Sequence, residues 1–105
     1  MAEISVRILI IIVAGIAALN AACQSHPEGA ALFRRERCID CHTIRGEGGG
    51  VGPDLTAVGR KRSRDFMIEQ IRNPKAHNPN SIMPSFAHLP EQDIGHLADY
   101  LSGLR

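Results

Sequence analysis

Residues 38–42 read Cys-Ile-Asp-Cys-His, and this pentapeptide limits the fold more than anything else in the 105-residue chain. The chain has three cysteines, an odd number, and Cys38 and Cys41 are only three apart, so a disulfide framework is a poor explanation. A zinc site would want two more Cys or His at paired spacing, and His77, His88 and His96 form no tight pair after a second C-x-x-C. A thioredoxin-like redox pair would want a β-α-β context, which is missing. What remains is the C-x-x-C-H pattern of c-type haem attachment. Two thiols at this spacing on one helical turn can add to the two vinyl groups of a haem, leaving the adjacent imidazole of His42 pointing at the iron.

The start of the chain carries the second constraint. Residues 8–22 are a block of 15 in which Asn20 is the only polar side chain. At about 1.5 Å per residue this makes roughly 22 Å of helix, short of a hydrocarbon core of about 30 Å, and so looks like a signal-peptide core. Met1 to Arg7 supplies a short flank with a weak positive excess, and Ala21 and Ala22 lie just before Cys23. Counted from Ile4, the stretch has 19 residues and Arg7 can snorkel to the headgroups, so an uncleaved membrane anchor is also feasible. Under either reading the chain is expected to be exported.

Cys23 resembles the acylated cysteine of bacterial lipoproteins, although Asn20 fills the place where that family usually has Leu. The alternative is a small apolar residue closing an anchor helix. The chain divides accordingly into residues 1–23, a signal peptide or membrane anchor, and residues 24–105, one folded domain.

The remainder is too small to be secure alone. It has one Tyr and three Phe, so its core is small and its stability marginal unless something is added. A porphyrin would supply the missing apolar area. A formal net charge of +1 lacks the basic excess of a nucleic-acid binder, and no charged low-complexity tail is present.

At these residues the chain resembles the small monohaem cytochromes c of bacteria, the class I cytochrome c family, over nearly all of residues 26–105. Gly29-Ala30-Ala31-Leu32-Phe33 precedes Cys38 and Gly52-Pro53-Asp54-Leu55 follows His42. Ser81-Ile82-Met83-Pro84-Ser85-Phe86 comes later, and Asp99-Tyr100-Leu101 closes the series. The resemblance implies an all-α cytochrome c fold, three to four helices wrapped around one covalent haem (heme c), preceded by an N-terminal hydrophobic helix. It also implies that Gly29 admits Tyr100 from the last helix, beside Phe33.

Local patterns agree. A helix from Pro27 to about Arg37 has Pro27 in its first turn and Leu32 and Phe33 on its apolar face. Residues 43–62 hold six of the ten glycines and read as a surface loop along one haem edge. Ser63 is a fitting N-cap for a middle helix that ends before Asn73-Pro74, with Phe66, Met67, Gln70 and Ile71 on one face. Four prolines between Pro74 and Pro90 predict an irregular stretch over residues 74–89. The last helix, Glu91 to Gly103, carries Ile94, Leu97, Ala98 and Leu101 on one stripe, and Pro90 stands where the family more often has a Ser or Thr cap.

Met83 lies in that irregular stretch, within the segment resembling the family's ligand loop, and is expected as the second axial iron ligand opposite His42. Met67, at helical spacing with Phe66 and Ile71, is the core filler. His77 and His88 flank Met83 and are alternative ligands. The resemblance further implies that the Pro53 carbonyl accepts from the other ring nitrogen of His42 and that Arg60 binds a haem propionate. Arg60-Lys61-Arg62-Ser63-Arg64 offers several candidates, and a solvated basic face is the competing reading.

Residues 34–75 carry ten Lys/Arg against six Asp/Glu, and residues 76–105 one Arg against three acids, so the surface is dipolar. Such a field orients a partner and fades with salt. The expected protein is a membrane-tethered monohaem cytochrome moving single electrons between redox proteins on the outer, periplasmic or exterior, side of a membrane. With His42 and Met83 both on the iron it is an electron carrier and not an enzyme. The alternatives are a fixed cytochrome subunit of a respiratory membrane complex, or a haem peroxidase or gas sensor with a displaceable sixth ligand.

Overall fold

The computed structural model describes residues 25–105; the apolar leader and Cys23, with the expectations attached to them, lie outside those residues. Helix α1, Pro27–Arg35, starts with Pro27 in its first turn, where a missing N–H costs nothing. Glu28 near its start and Arg34 and Arg35 in its last turn complement the helix dipole. Its buried residues are Gly29, Leu32 and Phe33.

Arg37, in the left-handed region at φ 62°, turns the chain into a single 3-10 turn, Cys38–Asp40. The following stretch is more ordered than the loop expected over residues 43–62. Strand β1, Thr43–Ile44, pairs antiparallel with β2, Glu47–Gly48, in the register Thr43 with Gly48 and Ile44 with Glu47. The connection is Arg45-Gly46, and both have positive φ, 50° and 82°, as a two-residue hairpin turn of matching twist requires. A one-turn helix, α2, spans Val58–Lys61.

Helix α3, Arg64–Arg72, is capped by the Ser63 hydroxyl, which accepts from the Phe66 N–H at 3.1 Å. It buries Met67 and Ile71, while Phe66 and Gln70 remain half-buried, so the four residues do not share one buried face. Helix α4, Pro74–His77, is a single turn inside the stretch expected to be irregular. Pro74 begins it, its side chain buried and its carbonyl accepting from the Asn78 N–H. Helix α5, Glu91–Ser102, follows Pro90, which makes no side-chain cap, and has Glu91 and Asp93 in its first turn.

The core forms where α5 crosses α1 and α3. Ile94, Leu97 and Ala98 are at most 2% exposed, and Leu32, Phe33, Met67, Ile71 and Leu101 surround them. The crossing depends on Gly29, because a Cβ there would overlap the His96 carbonyl oxygen and the Cβ of Tyr100. The Phe33 and Tyr100 rings pack beside it with centroids 5.8 Å apart. Three ion pairs fasten α5 at the rim: Arg35–Asp93, Arg72–Glu91 and Arg64–Asp99. Exposed pairs of this kind contribute about 1 kcal/mol or less each, so apolar burial carries the crossing. The Gly59 N–H donates to the Leu104 carbonyl at 2.7 Å, tying α2 to the chain end.

Candidate cofactor site

One cavity opens between the helices and the two connecting segments, and the atoms it exposes are apolar. Phe33 of α1, Ile71 of α3, and Leu97 and Leu101 of α5 form its walls, joined by Leu55 and Phe86. Cys38, His42 and Met83 line the same cavity. Cys41 stands exposed at the edge of the turn, and both Cys38 and Cys41 are free thiols.

Cys38 and His42 are brought to one side by the tight turn between them: the His42 N–H donates to the Cys38 carbonyl at 3.0 Å. The glycine-rich segment then closes over that turn. The Gly49 N–H donates to the Ile39 carbonyl at 2.9 Å and the Gly52 N–H to the Cys41 carbonyl at 2.7 Å. Gly52 has no side chain for a steric reason, since a Cβ would lie 2.6 Å from His42 Cε1 and 2.8 Å from Nδ1. The imidazole therefore packs flat on the Gly52 backbone.

The next residue completes the constraint. His42 Nδ1 lies 2.8 Å from the Pro53 carbonyl oxygen. A carbonyl only accepts, so Nδ1 carries the hydrogen, and the neutral ring keeps its lone pair on Nε2, the atom suited to a metal. Asp54, one residue on, accepts from the Thr56 N–H and hydroxyl. Those bonds hold its carboxyl below the usual carboxylate range.

Burial pushes the Cys38 thiol up to about 11, ahead of smaller effects from its own backbone, Glu36 and Cys41. Cys38 is therefore no activated thiolate at neutral pH, which argues against a redox-active pair. An uncharged thioether suits the same surroundings.

Met83 arrives from the opposite segment, which is pinned to the end of α3. The Ser85 hydroxyl donates to the Arg72 carbonyl at 2.5 Å and the Phe86 N–H to the Ile71 carbonyl at 2.9 Å. Met83 is half-buried, and Gln70 Nε2 donates to its sulfur at 3.6 Å. Met67, by contrast, is 4% exposed within the helical core.

The remaining histidines and arginines lie elsewhere. His77 stacks on Phe66 and His88 is exposed beside Phe86; neither lines the cavity. In the basic stretch, Arg62 sits over the Phe66 ring and Arg64 pairs with Asp99, while Arg60 is exposed on α2 and outside the cavity lining. Two functional contacts had no reading in the sequence: the packing of His42 on Gly52, and the bond from Gln70 to Met83. Gln70 and Met83 are 13 residues apart on separate elements, so no spacing rule connects them.

The donor set fits a haem. Two free thiols precede an imidazole with one nitrogen satisfied and one free, a thioether lines the same cavity as Cys38 and that imidazole, and the walls are apolar. A helical fold with such a site defines a c-type cytochrome domain. The cytochrome c family model matches residues 27–105, and the chain belongs to that family. Membership implies a covalent haem c, for which Cys38 and Cys41 have the required spacing.

Relatives place this family in several settings. The chain is 32% identical over 83 residues to a nitric oxide reductase subunit of Paracoccus denitrificans, covering 70% of this chain and 55% of that one. It is 29% identical over 86 residues to cytochrome c oxidase subunit 2 of Alkalihalophilus pseudofirmus, covering 74% of this chain and 25% of that one. It thus spans about a quarter of one relative and about half of the other. The crystal structure of the c-type cytochrome SorU from Sinorhizobium meliloti superposes with a TM-score of 0.58 at 25% identity, covering 75% of this chain and 88% of that one.

Proposed function

We propose that the domain carries one haem c, attached through Cys38 and Cys41 and ligated axially by His42 and Met83, and that it passes single electrons between protein partners. The observation that carries this reading is that His42 and Met83, 41 residues apart in sequence, line one apolar cavity together with Cys38. When bound, the haem supplies a one-electron iron couple, and thioether ligation favours its reduced form.

The chain's own residues do the rest. The Pro53 carbonyl holds His42 in the tautomer that leaves Nε2 free, and the Gly52 backbone supports the ring face. Ser85 and Phe86 fasten the Met83 segment to α3. Phe33, Leu97 and Leu101 exclude water and keep the surroundings of low polarity. Arg60, by the family resemblance, would bind a haem propionate from outside the cavity lining, while Arg62 and Arg64 in the same stretch have other partners. With two protein ligands on the iron, no position is left for substrate, and the domain is a carrier and not an enzyme.

Residues 1–23 would tether it as a signal-derived lipid anchor at Cys23 or as a membrane helix, with the haem domain on the outer face. A second reading, a fixed subunit of a respiratory complex, is supported by the two relatives, each a subunit of a larger oxidase or reductase. Co-purification in mild detergent separates the two readings: a carrier leaves alone, and a fixed subunit leaves with its complex.

The haem assignment is tested by intact mass and by circular dichroism. The holoprotein is expected to show one covalent haem increment. Cys38→Ala combined with Cys41→Ala is expected to lose both the increment and most of the helical signal, because so small a core is only marginally stable without the porphyrin's apolar area. Native-like dichroism in that variant, or stoichiometric zinc in place of haem, would overturn the reading.

A further inference from the structure

We infer that His77 orients Gln70 so that its carboxamide NH2 donates to the Met83 sulfur, which makes both residues positioning residues for the thioether ligand and couples the iron to the His77 proton. The inference rests on Met83 being the axial ligand.

The placement begins on α3. That helix turns Met67 and Ile71 into the core, and Phe66 and Gln70, one turn apart, are left half-buried. Helix α4 then lays His77 against them. The imidazole stacks on the Phe66 ring with centroids 3.9 Å apart and planes within 4°. Its Nδ1 lies 2.8 Å from Gln70 Oε1, and its Nε2 lies 3.5 Å from Glu69 Oε2. Ring face, one nitrogen and the other nitrogen are each met by a different side chain of α3.

A carboxamide has one accepting end and one donating end. With Oε1 accepting from the His77 Nδ1–H, the NH2 is the end that meets Met83 Sδ, at 3.6 Å. The reversed amide would aim an oxygen lone pair at the sulfur and two N–H groups at an N–H. The tautomer of His77 therefore selects which end of Gln70 the ligand feels. A thioether sulfur has two lone pairs, so a donor on one leaves the other for the iron.

The same geometry transmits a proton. Neutral His77 has one hydrogen for two facing acceptors, Gln70 Oε1 at Nδ1 and the Glu69 carboxylate at Nε2, and it donates to Gln70 when that hydrogen is on Nδ1. Protonation places a hydrogen on Nε2 toward Glu69 and makes Nδ1–H a charge-assisted donor. Chains of hydrogen bonds polarise one another, so the Gln70 NH2 becomes a stronger donor to sulfur. Electron density drawn from the sulfur weakens its support of ferric iron, and protonation favours the reduced state. The charged groups around the imidazole are Glu69 on α3, Arg62 through the Phe66 ring, and Lys75 on α4 itself.

The test is a redox titration of the holoprotein between pH 5 and pH 8, read together with the weak long-wavelength sulfur-to-iron charge-transfer band. At a fixed applied potential, the ferrous-to-ferric ratio is expected to fall about threefold across this range, roughly 28 mV at about 59 mV per tenfold for one electron. His77→Phe keeps the stack and removes the Nδ1–H; Gln70→Leu keeps the bulk and removes the donor. Both are expected to abolish the pH step and shift the band.

A Gln70→Leu protein that retains the full pH step would show that the His77 charge acts through space, and would overturn the relay. So would a His77→Phe protein matching wild type in band and potential. Absence of the band from wild type at every pH would instead remove Met83 as the ligand. A band that is present and indifferent to both substitutions would sink the relay alone.

Discussion

Helices α1 and α5 meet through side chains that water does not reach, whereas residues 43–57 and 78–90, which pack Ile44, Leu55, Phe86 and Leu89 against that core, are aimed by individual hydrogen bonds to backbone atoms. At the crossing, Ile94, Leu97 and Ala98 are almost wholly buried and Gly29 lets the backbones touch. In the two straps, His42 depends on the Pro53 carbonyl, and the Met83 segment depends on Ser85 and Phe86 reaching the end of α3. Burial is non-directional and summed over many atoms, so it supplies stability. Hydrogen bonds are directional and individually modest, so they supply aim. The frame decides whether the domain folds, and the straps decide what points into its cavity.

Substitutions can break or sharpen that contrast. Leu97→Ala should have the largest effect, because Leu97 belongs to both regions as a 2% exposed core residue and a cavity wall. It is expected to cost about 2–5 kcal/mol in chemical denaturation of the holoprotein. It should also perturb the charge-transfer band, the one case where frame and site fail together.

Ser85→Ala should separate them. It removes the bond to the Arg72 carbonyl at a cost of about 1 kcal/mol. The main readout is expected at Met83, as a weakened or pH-labile thioether band, with helical content unchanged. An unaltered band would mean that the Phe86 N–H alone fixes the strap.

The smallest effect is expected at the rim of the frame, from Asp99→Asn. Asp99 is held below the usual carboxylate range chiefly by its hydrogen bond from Arg64, against a small opposing effect of burial. A lowered folded value means that its stabilisation is present above the ordinary carboxylate value and is lost as pH falls through the folded one. Both partners are more than a third exposed, so solvent screening limits the loss to about 0.2–1 kcal/mol at pH 7. The difference between wild type and variant should vanish in acid, and a difference that persists there would assign Asp99 a packing role.

Much of the frame was legible in advance because its causes are local. The apolar stripe of α5 runs Ile94, Leu97, Ala98 and Leu101, all four buried. Ser63 caps α3 through the Phe66 N–H, and Met67 fills the core as helical spacing suggested. The misses have tertiary causes. Phe66 and Gln70 share a helical face with Met67 and Ile71 but stay half-buried, because His77 of α4 packs on them in place of the core. Prolines between Pro74 and Pro90 suggested irregular chain, but Pro74 can open a helical turn as easily as end one. His77, read as an alternative iron ligand, is instead stacked on Phe66 and hydrogen-bonded to Gln70.

From the order of residues alone came the attachment pentapeptide, the helices that flank it and the methionine in a proline-rich segment. Each of these is written in neighbours a few positions apart, where backbone propensity and short-range geometry decide. The family resemblance had already implied the bond from His42 Nδ1 to the Pro53 carbonyl, which the fold makes at 2.8 Å, but only the folded chain decided that the imidazole lies on Gly52. Only the folded chain set the Met83 sulfur beside Gln70. Those contacts join segments 10 to 13 residues apart through loops whose closure no local preference dictates.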